Sequence, residues 1–248
     1  MNHKTLCLCI AAQCVSSFYL AAETDSVDIT IPEGRNFSIA AFRFLLPSEP
    51  KVIRGVTVLV PGSNYDGRAQ VDEAVWRAFA RRHDLALVGC YFKDHPHDNM
   101  SIEEYARAGD GSGTALLEAL RRFAKTSGHQ EAAEAPLLLW GVSAGGEFNF
   151  EFACWKPERV IAFVVNKGGY YFTHLAPAST RNVPGIFFVG ADDAEFRRKS
   201  IEGIFAVNHE AGAHWKLIIE PHIGHVLGDS QKLAVEFFED CLSDRPPK

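Results

Sequence analysis

A serine with glycines two positions before it and two positions after it is the feature of this sequence most able to do chemistry. Ser143 lies in the segment GVSAG at 141–145. An apolar run at 137–140 precedes the segment, and a helical pattern follows it from Glu147. A serine on a sharp strand-to-helix turn projects its hydroxyl above the sheet edge, near the positive end of the following helix. The setting therefore predicts a nucleophilic serine.

A serine hydroxyl is a weak nucleophile near neutral pH, so catalysis needs a base and a group that orients the base. His225 follows the apolar run at 216–219, and Asp192 and Asp193 follow the run at 186–189. The chain order is therefore serine, aspartate, histidine, each after the end of a separate predicted strand. Either aspartate could orient the histidine, and both could instead cap the helix that follows them.

The elements that would position these residues alternate between strand-like and helical stretches. Strand-like runs lie at 56–60, 85–91, 137–140, 160–165, 185–189 and 216–219, and amphipathic stretches lie at 71–82, 114–125, 147–155, 195–210 and 231–242. Short apolar runs bounded by Gly, Pro or charges are typical of parallel strands covered on both faces. Segments 28–31 and 37–46 come first, with no helix between them. We therefore predict an α/β fold: a mostly parallel central sheet with helices on both faces and antiparallel strands at its N-terminal edge.

The turn at Ser143 and the serine–aspartate–histidine order resemble the α/β-hydrolase superfamily over roughly residues 28–242. Within it the chain is similar to compact, lidless esterases of the dienelactone-hydrolase and feruloyl-esterase type. The resemblance implies that Ser143 is the nucleophile and His225 the general base. The acid of the family usually lies three residues after the glycine that closes its strand. Counted from Gly190, this implies Asp193, with Asp192 as the alternative.

An oxyanion hole needs two backbone N–H groups aimed at the tetrahedral intermediate. The resemblance implies one from Ala144, directly after the nucleophile. It implies the other from the loop after the run at 56–60, where we assign Ser63, with Asn64 as the next candidate. Many family members have His-Gly at the start of this loop, whereas this chain has Pro61 and Gly62. A backbone donor does not depend on the replaced side chain, so the assignment stands.

The first 22 residues have the composition of a secretory signal peptide. Lys4 is their one Lys, Arg, Asp or Glu, the run at 6–15 is mainly apolar, and small residues precede Glu23. This order is typical of a cleaved export signal, and the apolar run is short for a bilayer span. We therefore expect a signal peptide at 1–22, a single domain at 23–248, no integral membrane association and a secreted or periplasmic location.

Charge and residue spacing argue against several other kinds of protein. The formal net charge is −6, and loss of Lys4 makes the exported chain more acidic, which argues against a nucleic-acid partner. The glycine-rich stretch at 109–113 lacks the lysine of a phosphate loop. Three cysteines remain beyond the signal, without metal-binding spacing: Cys90, Cys154 and Cys241.

One loop carries side chains that can bind divalent metals: Asp94, His95, His97 and Asp98. Its spacing matches no general ligand pattern, and loops of this composition are usually solvated. We therefore expect no metal and no organic cofactor.

These observations predict a serine hydrolase that cleaves a small-molecule or polymer-linked ester through an acyl-enzyme. The same residues would serve a peptidase or an amidase. A non-catalytic binding protein on the same scaffold is a further alternative, and it would be expected to lack one of the three residues. None of the three is missing.

Overall fold

A computed structural model of the chain describes residues 26–99 and 102–244, and its strands form one sheet of eight. The strands are Val27–Ile31 (β1), Ile39–Leu45 (β2), Gly55–Val60 (β3), Leu85–Lys93 (β4), Leu137–Gly141 (β5), Val160–Asn166 (β6), Gly185–Gly190 (β7) and Lys216–Glu220 (β8). Their spatial order is β1-β2-β4-β3-β5-β6-β7-β8. The β1–β2 and β2–β4 pairs are antiparallel, and every other neighbouring pair is parallel.

Helices cover both faces of the sheet. The α-helices are Ala74–His83 (α1), Ser112–Ser127 (α2), Ala144–Trp155 (α3), Ala178–Arg181 (α4), Glu195–Glu210 (α5) and Ser230–Asp244 (α6). Short 3₁₀ helices lie at Arg68–Asp72, Glu104–Ala106, Ala108–Asp110, Gln130–Ala133 and Pro157–Arg159. Apolar residues of α2, α3 and α5 share one hydrophobic core, and those of α1 and α6 share the other.

The alternation of side chains along each strand explains these two cores. In β5, Leu137 and Leu139 join the core under α2 and α3, whereas Leu138 and Trp140 join the core under α1 and α6. Successive side chains of a strand point to opposite faces, so a strand buried on both sides must be apolar throughout. The continuous apolar runs in the sequence have this cause.

The predicted fold class is confirmed, including the antiparallel edge formed by β1 and β2. Helix α1 begins at Ala74, three residues later than predicted, because 68–72 forms a 3₁₀ helix and Glu73 is extended with φ −64° and ψ 127°. Helix α3 begins at Ala144, three residues earlier than the pattern indicated. The predicted signal peptide at 1–22 lies outside the described residues.

The strand order reverses at the carboxyl ends of β3 and β5. Strand β3 lies between β4 and β5. The connection from β3 to β4 therefore runs in one direction across the sheet, and the connection from β4 to β5 runs in the opposite direction. Ligands of open α/β sheets bind at the carboxyl ends of strands, where the strand order reverses. The loops that follow β3 and β5 carry Ser63 and Ser143, respectively.

Candidate active site

Ser143 lies on a tight turn between β5 and α3. Its backbone has φ 53° and ψ −124°, and a positive φ is uncommon for a residue other than glycine. A side chain at Gly141 would overlap the carbonyl oxygen of Gly145, and a side chain at Gly145 would overlap the carbonyl oxygen of Val60. The two glycines of the GVSAG segment therefore have a steric cause. The turn also places Ser143 at the N-terminus of α3, where the helix dipole stabilises negative charge.

His225 joins Ser143 to Asp193 through hydrogen bonds at both of its ring nitrogens. Its Nε2 atom lies 3.1 Å from Oγ of Ser143, and its Nδ1 atom lies 2.8 Å from Oδ2 of Asp193. An ionised carboxylate can only accept a hydrogen bond, so the proton of a neutral His225 resides on Nδ1. Nε2 then accepts the hydrogen bond of the Ser143 hydroxyl. A nucleophile, a base and an orienting acid in this order can carry out acyl transfer.

The geometry distinguishes the two adjacent aspartates that the sequence left open. Asp193 is 7% exposed and contacts His225, whereas Asp192 is exposed. The second carboxylate oxygen of Asp193, Oδ1, accepts hydrogen bonds from Nε of Arg197 at 2.9 Å and from the N–H of Ala194 at 2.7 Å. Asp193 is therefore the aspartate that contacts the imidazole, and it also binds the N-terminal end of α5 through Ala194 and Arg197.

Three hydrogen bonds keep Asp193 ionised. Burial by itself would raise the pKa of this carboxyl group, because it removes the charged form from water. Hydrogen bonds from His225, Arg197 and the N–H of Ala194 outweigh that effect and hold the pKa of Asp193 below its ordinary value. The side chain can therefore orient the imidazole as an anion at neutral pH.

The loop after β3 lies directly beside Ser143. A side chain at Gly62 would place its Cβ 3.6 Å from the Cβ of Ser143. The N–H of Asn64 donates to the hydroxyl oxygen of Tyr105 at 3.4 Å. By contrast, within residues 26–99 and 102–244 the N–H groups of Ser63 and Ala144 donate no hydrogen bond. Of the two predicted candidates in this loop, Ser63 is thus the one whose N–H is available to an incoming oxyanion.

The Asp94 loop, considered above as a metal site, holds the Ser63 loop in place. The N–H of Asp94 donates to Oδ1 of Asn64 at 2.9 Å. The Asp94 carboxylate accepts the N–H groups of Glu104 and Tyr105 at 3.0 and 2.9 Å, and it lies 3.2 Å from Nε2 of His97. In the part of the chain that the structure describes, no group of three or more His, Cys, Asp or Glu side chains is arranged to hold a metal ion.

Sequence reasoning missed two buried acids that fix the loop after β6. Oε1 of Glu147 accepts the N–H groups of Gly169 and Tyr170 at 2.6 and 3.0 Å, and Oε1 of Glu151 accepts the N–H of Thr173 at 2.8 Å. Burial raises the pKa of Glu147 to about 7. The available signal was two glutamates four residues apart within an otherwise mainly apolar helix, where a charge needs a buried partner.

Exposed apolar side chains flank the site residues. Val226 and Leu227, which directly follow His225, are 61% and 43% exposed, and Tyr65, two residues after Ser63, is 69% exposed. Phe196, three residues after Asp193, is 47% exposed, and its ring lies 5.8 Å from that of Tyr170. We call Tyr65, Phe196, Val226 and Leu227 the apolar rim.

Comparison with known proteins identifies the fold. No family model matches the sequence, and no curated protein matches it. Solved structures do match, among them an esterase from Pyrobaculum calidifontis at 14% identity, covering 89% of this chain and 85% of that one with a TM-score of 0.58. A ferulic acid esterase matches at 13% identity, with 90% and 97% of the two chains covered and a TM-score of 0.58. A poly(3-hydroxybutyrate) depolymerase from Bordetella parapertussis matches at 19% identity, with 89% and 90% covered and a TM-score of 0.60.

The chain has the α/β-hydrolase fold. The resemblance noted in the sequence is thereby confirmed at the level of the fold. In this fold the serine turn follows β5, the aspartate follows β7 and the histidine follows β8. The three residues therefore meet at the carboxyl edge of the parallel strands, although the sequence separates them widely.

Proposed function

We propose that the protein is a serine hydrolase that cleaves carboxylic esters, with Ser143 as nucleophile, His225 as general base and Asp193 as orienting acid. The observation that carries the proposal is the hydrogen-bonded line from Ser143 Oγ through His225 to Asp193. At the Ser143 end of this line lie two backbone N–H groups that have no partner among the described residues, those of Ser63 and Ala144. The structural neighbours described above include two esterases and a poly(3-hydroxybutyrate) depolymerase, which supports an ester over an amide.

The proposed reaction proceeds in two halves. The Oγ atom of Ser143 attacks the ester carbonyl carbon while Nε2 of His225 takes the hydroxyl proton. The carbonyl oxygen becomes an anion, which the N–H groups of Ser63 and Ala144 stabilise. The C–O bond to the alcohol then breaks, and the imidazolium of His225 gives its proton to the departing alkoxide. Water repeats the sequence on the acyl-enzyme and releases the acid and Ser143. No step needs a metal or an organic cofactor.

The substrate class follows from the surface around the site. The apolar rim exposes uncharged side chains within three residues of Ser63, Asp193 and His225 in the sequence. Removing such area from water stabilises binding by about 25 cal/mol per Å² of apolar surface. We therefore infer an uncharged ester with apolar groups, in a small molecule or as part of a polymer.

We also propose that residues 1–22 direct export and are removed, so that the mature enzyme is secreted or periplasmic. In residues 26–99 and 102–244 no helix is long and apolar enough to cross a membrane. N-terminal sequencing of the protein recovered from its native host tests the export proposal. A first residue near Glu23 supports it, and a chain that retains Met1 contradicts it.

A fluorophosphonate probe tests the enzymatic proposal before any substrate is known. Such a probe reacts preferentially with a serine that a base has activated. We expect labelling of the wild-type chain, complete loss in Ser143→Ala and loss of most labelling in His225→Ala. His222→Ala is the matched control, because His222 is an exposed histidine three residues away, and it is His225 that makes the hydrogen bond with Ser143. Equal loss in the two histidine variants, or labelling that survives Ser143→Ala, contradicts the proposal.

A further inference from the structure

Asn166 and Lys167, at the carboxyl end of β6, contact all three strands or turns from which the proposed catalytic residues project. The carbonyl oxygen of Asn166 accepts the N–H of Ser143 at 2.8 Å. The N–H of Lys167 donates to the carbonyl oxygen of Phe188 in β7, the strand that leads to Asp193, at 3.0 Å. The Nζ atom of Lys167 binds the carboxylate of Glu220, the last residue of β8. One dipeptide thus joins the segments of serine, aspartate and histidine.

The Lys167–Glu220 ion pair is buried beneath these segments. The side chain of Lys167 is 0% exposed and that of Glu220 is 7% exposed. Nζ also donates to Oδ1 of Asn166 at 3.0 Å, and Lys167 adopts φ 56°, which is uncommon for a residue with a side chain. A buried ion pair is weak evidence for stability, since apolar residues of similar size often stabilise a fold as well or better. A role in fixing geometry explains its presence more directly.

The same residues hold both ends of the loop that carries His225. The loop begins directly after Glu220, whose Oε1 atom accepts the N–H of Asp229 at 2.9 Å. At the end of the loop, Oγ of Ser230 accepts a hydrogen bond from Nδ2 of Asn166 at 2.7 Å and donates to the carbonyl oxygen of Leu227. Asn166 and the ion pair therefore hold the two ends of the segment that contains His225.

We propose that four residues are positioning residues that keep His225 within hydrogen-bond distance of Ser143: Asn166, Lys167, Glu220 and Ser230. The inference rests on the proposed function, because it gives these residues a role in the same reaction. A misplacement of about 1 Å in a catalytic group can lower a rate by about 100-fold. The proposal therefore predicts an effect on kcat that exceeds any effect on substrate binding.

Two double variants separate positioning from mere folding. Both remove the ion pair, but Lys167→Met/Glu220→Gln keeps a side-chain oxygen for the N–H of Asp229, whereas Lys167→Met/Glu220→Leu does not. We expect the Leu variant to lose about tenfold or more in kcat on a soluble short-chain ester, with KM changed less than about twofold. The Gln variant should recover the part of that loss that comes from the N–H of Asp229, and the remaining loss measures the ion pair with Lys167. Lys232→Met/Glu236→Leu, which removes an exposed pair on α6, is the matched control.

Unchanged kcat in a folded Leu variant, or equal losses in the Leu and Gln variants, overturns the proposal. If the Leu variant does not fold, Ser230→Ala replaces it, because this change removes only the hydroxyl between Asn166 and Leu227. It should also lower kcat and leave KM nearly unchanged, and an unchanged kcat again overturns the proposal.

A wild-type chain that neither hydrolyses esters nor reacts with the fluorophosphonate contradicts the proposed function instead. In that case the ¹⁵N shifts of the His225 imidazole decide the positioning inference. They should move in the Leu variant, or in Ser230→Ala, and not in the α6 control. Shifts that stay at their wild-type values overturn it.

Discussion

The Nδ1 atom of His225 lies 2.8 Å from Oδ2 of Asp193, while Asp192, one residue earlier, is exposed. Asp193→Asn should therefore lower kcat by about 10³- to 10⁴-fold, because an amide neither holds the productive imidazole tautomer nor stabilises the imidazolium. Asp192→Asn removes the same charge one position away and should change kcat by less than about threefold. Steady-state kinetics on a soluble ester measure both variants. Comparable losses would show that the acid is assigned wrongly.

The oxyanion role of Ser63 depends on its backbone and not on its hydroxyl. Ser63→Pro removes the N–H group and should lower kcat by about 100-fold or more, while KM changes little. Ser63→Ala keeps the N–H and should lose far less. Circular dichroism during heating checks that both variants fold. A proline variant that is folded and fully active would exclude Ser63 as an oxyanion donor.

Burial of Glu147 predicts that the free energy of unfolding depends on pH. Its pKa is raised from 4.5 to about 7 in the folded state, so the folded state retains this proton at pH values where the unfolded state has lost it. The contribution of Glu147 to the free energy of unfolding is greatest below about pH 4.5. It falls by roughly 3 kcal/mol as the pH rises through about 7.

Urea unfolding of Glu147→Gln at about pH 5 and about pH 8 tests this sign, because glutamine has no proton to lose. The variant should lose less stability than the wild type between the two pH values. Glu202→Gln, at an exposed position of α5, should follow the wild type. A Glu147→Gln variant whose stability falls as steeply as that of the wild type would refute the prediction.

The apolar rim predicts selectivity for longer acyl or alkyl groups. The double variant Val226→Ser/Leu227→Ser should raise KM for an octanoate ester by about five- to tenfold, which corresponds to roughly 1 kcal/mol of lost apolar contact. Its kinetics on an acetate ester should change little. Val52→Ser replaces a side chain of similar exposure before β3, at the opposite end of the parallel strands, and serves as control. A KM that stays constant for both esters would exclude these side chains from substrate binding.

The sequence was sufficient to predict the fold class, and with the family resemblance it also selected Ser143, Asp193 and His225, of which His225 contacts the other two. Continuous apolar runs have one physical cause, burial on both faces of a sheet, and the GVSAG segment has a steric one. Those causes act locally, so they leave a local pattern. The choice between Asp192 and Asp193 was open in the residues themselves, because both follow β7 and either can cap a helix.

The supporting residues were not predicted, because their roles depend on contacts far apart in the chain. Lys167 is a charged residue after a strand, and only the approach of Glu220 explains why it is buried. Arg197 looks like a surface residue of α5, yet it binds the carboxylate of Asp193. A usable signal existed at Asn166 and Lys167, since polar residues that end an apolar strand at the site edge are candidates for supporting roles.

Strand β8 lies at the edge of the sheet and pairs with β7 alone, and the histidine loop comes after it. Chains leave the ribosome from the N-terminus, so the segments of Ser143 and Asp193 emerge before that of His225. On the proposed function, a nascent chain carries its hydroxyl without a base and is inert toward esters. On that function, the edge strand and the loop after it supply the last of the three residues to be synthesised.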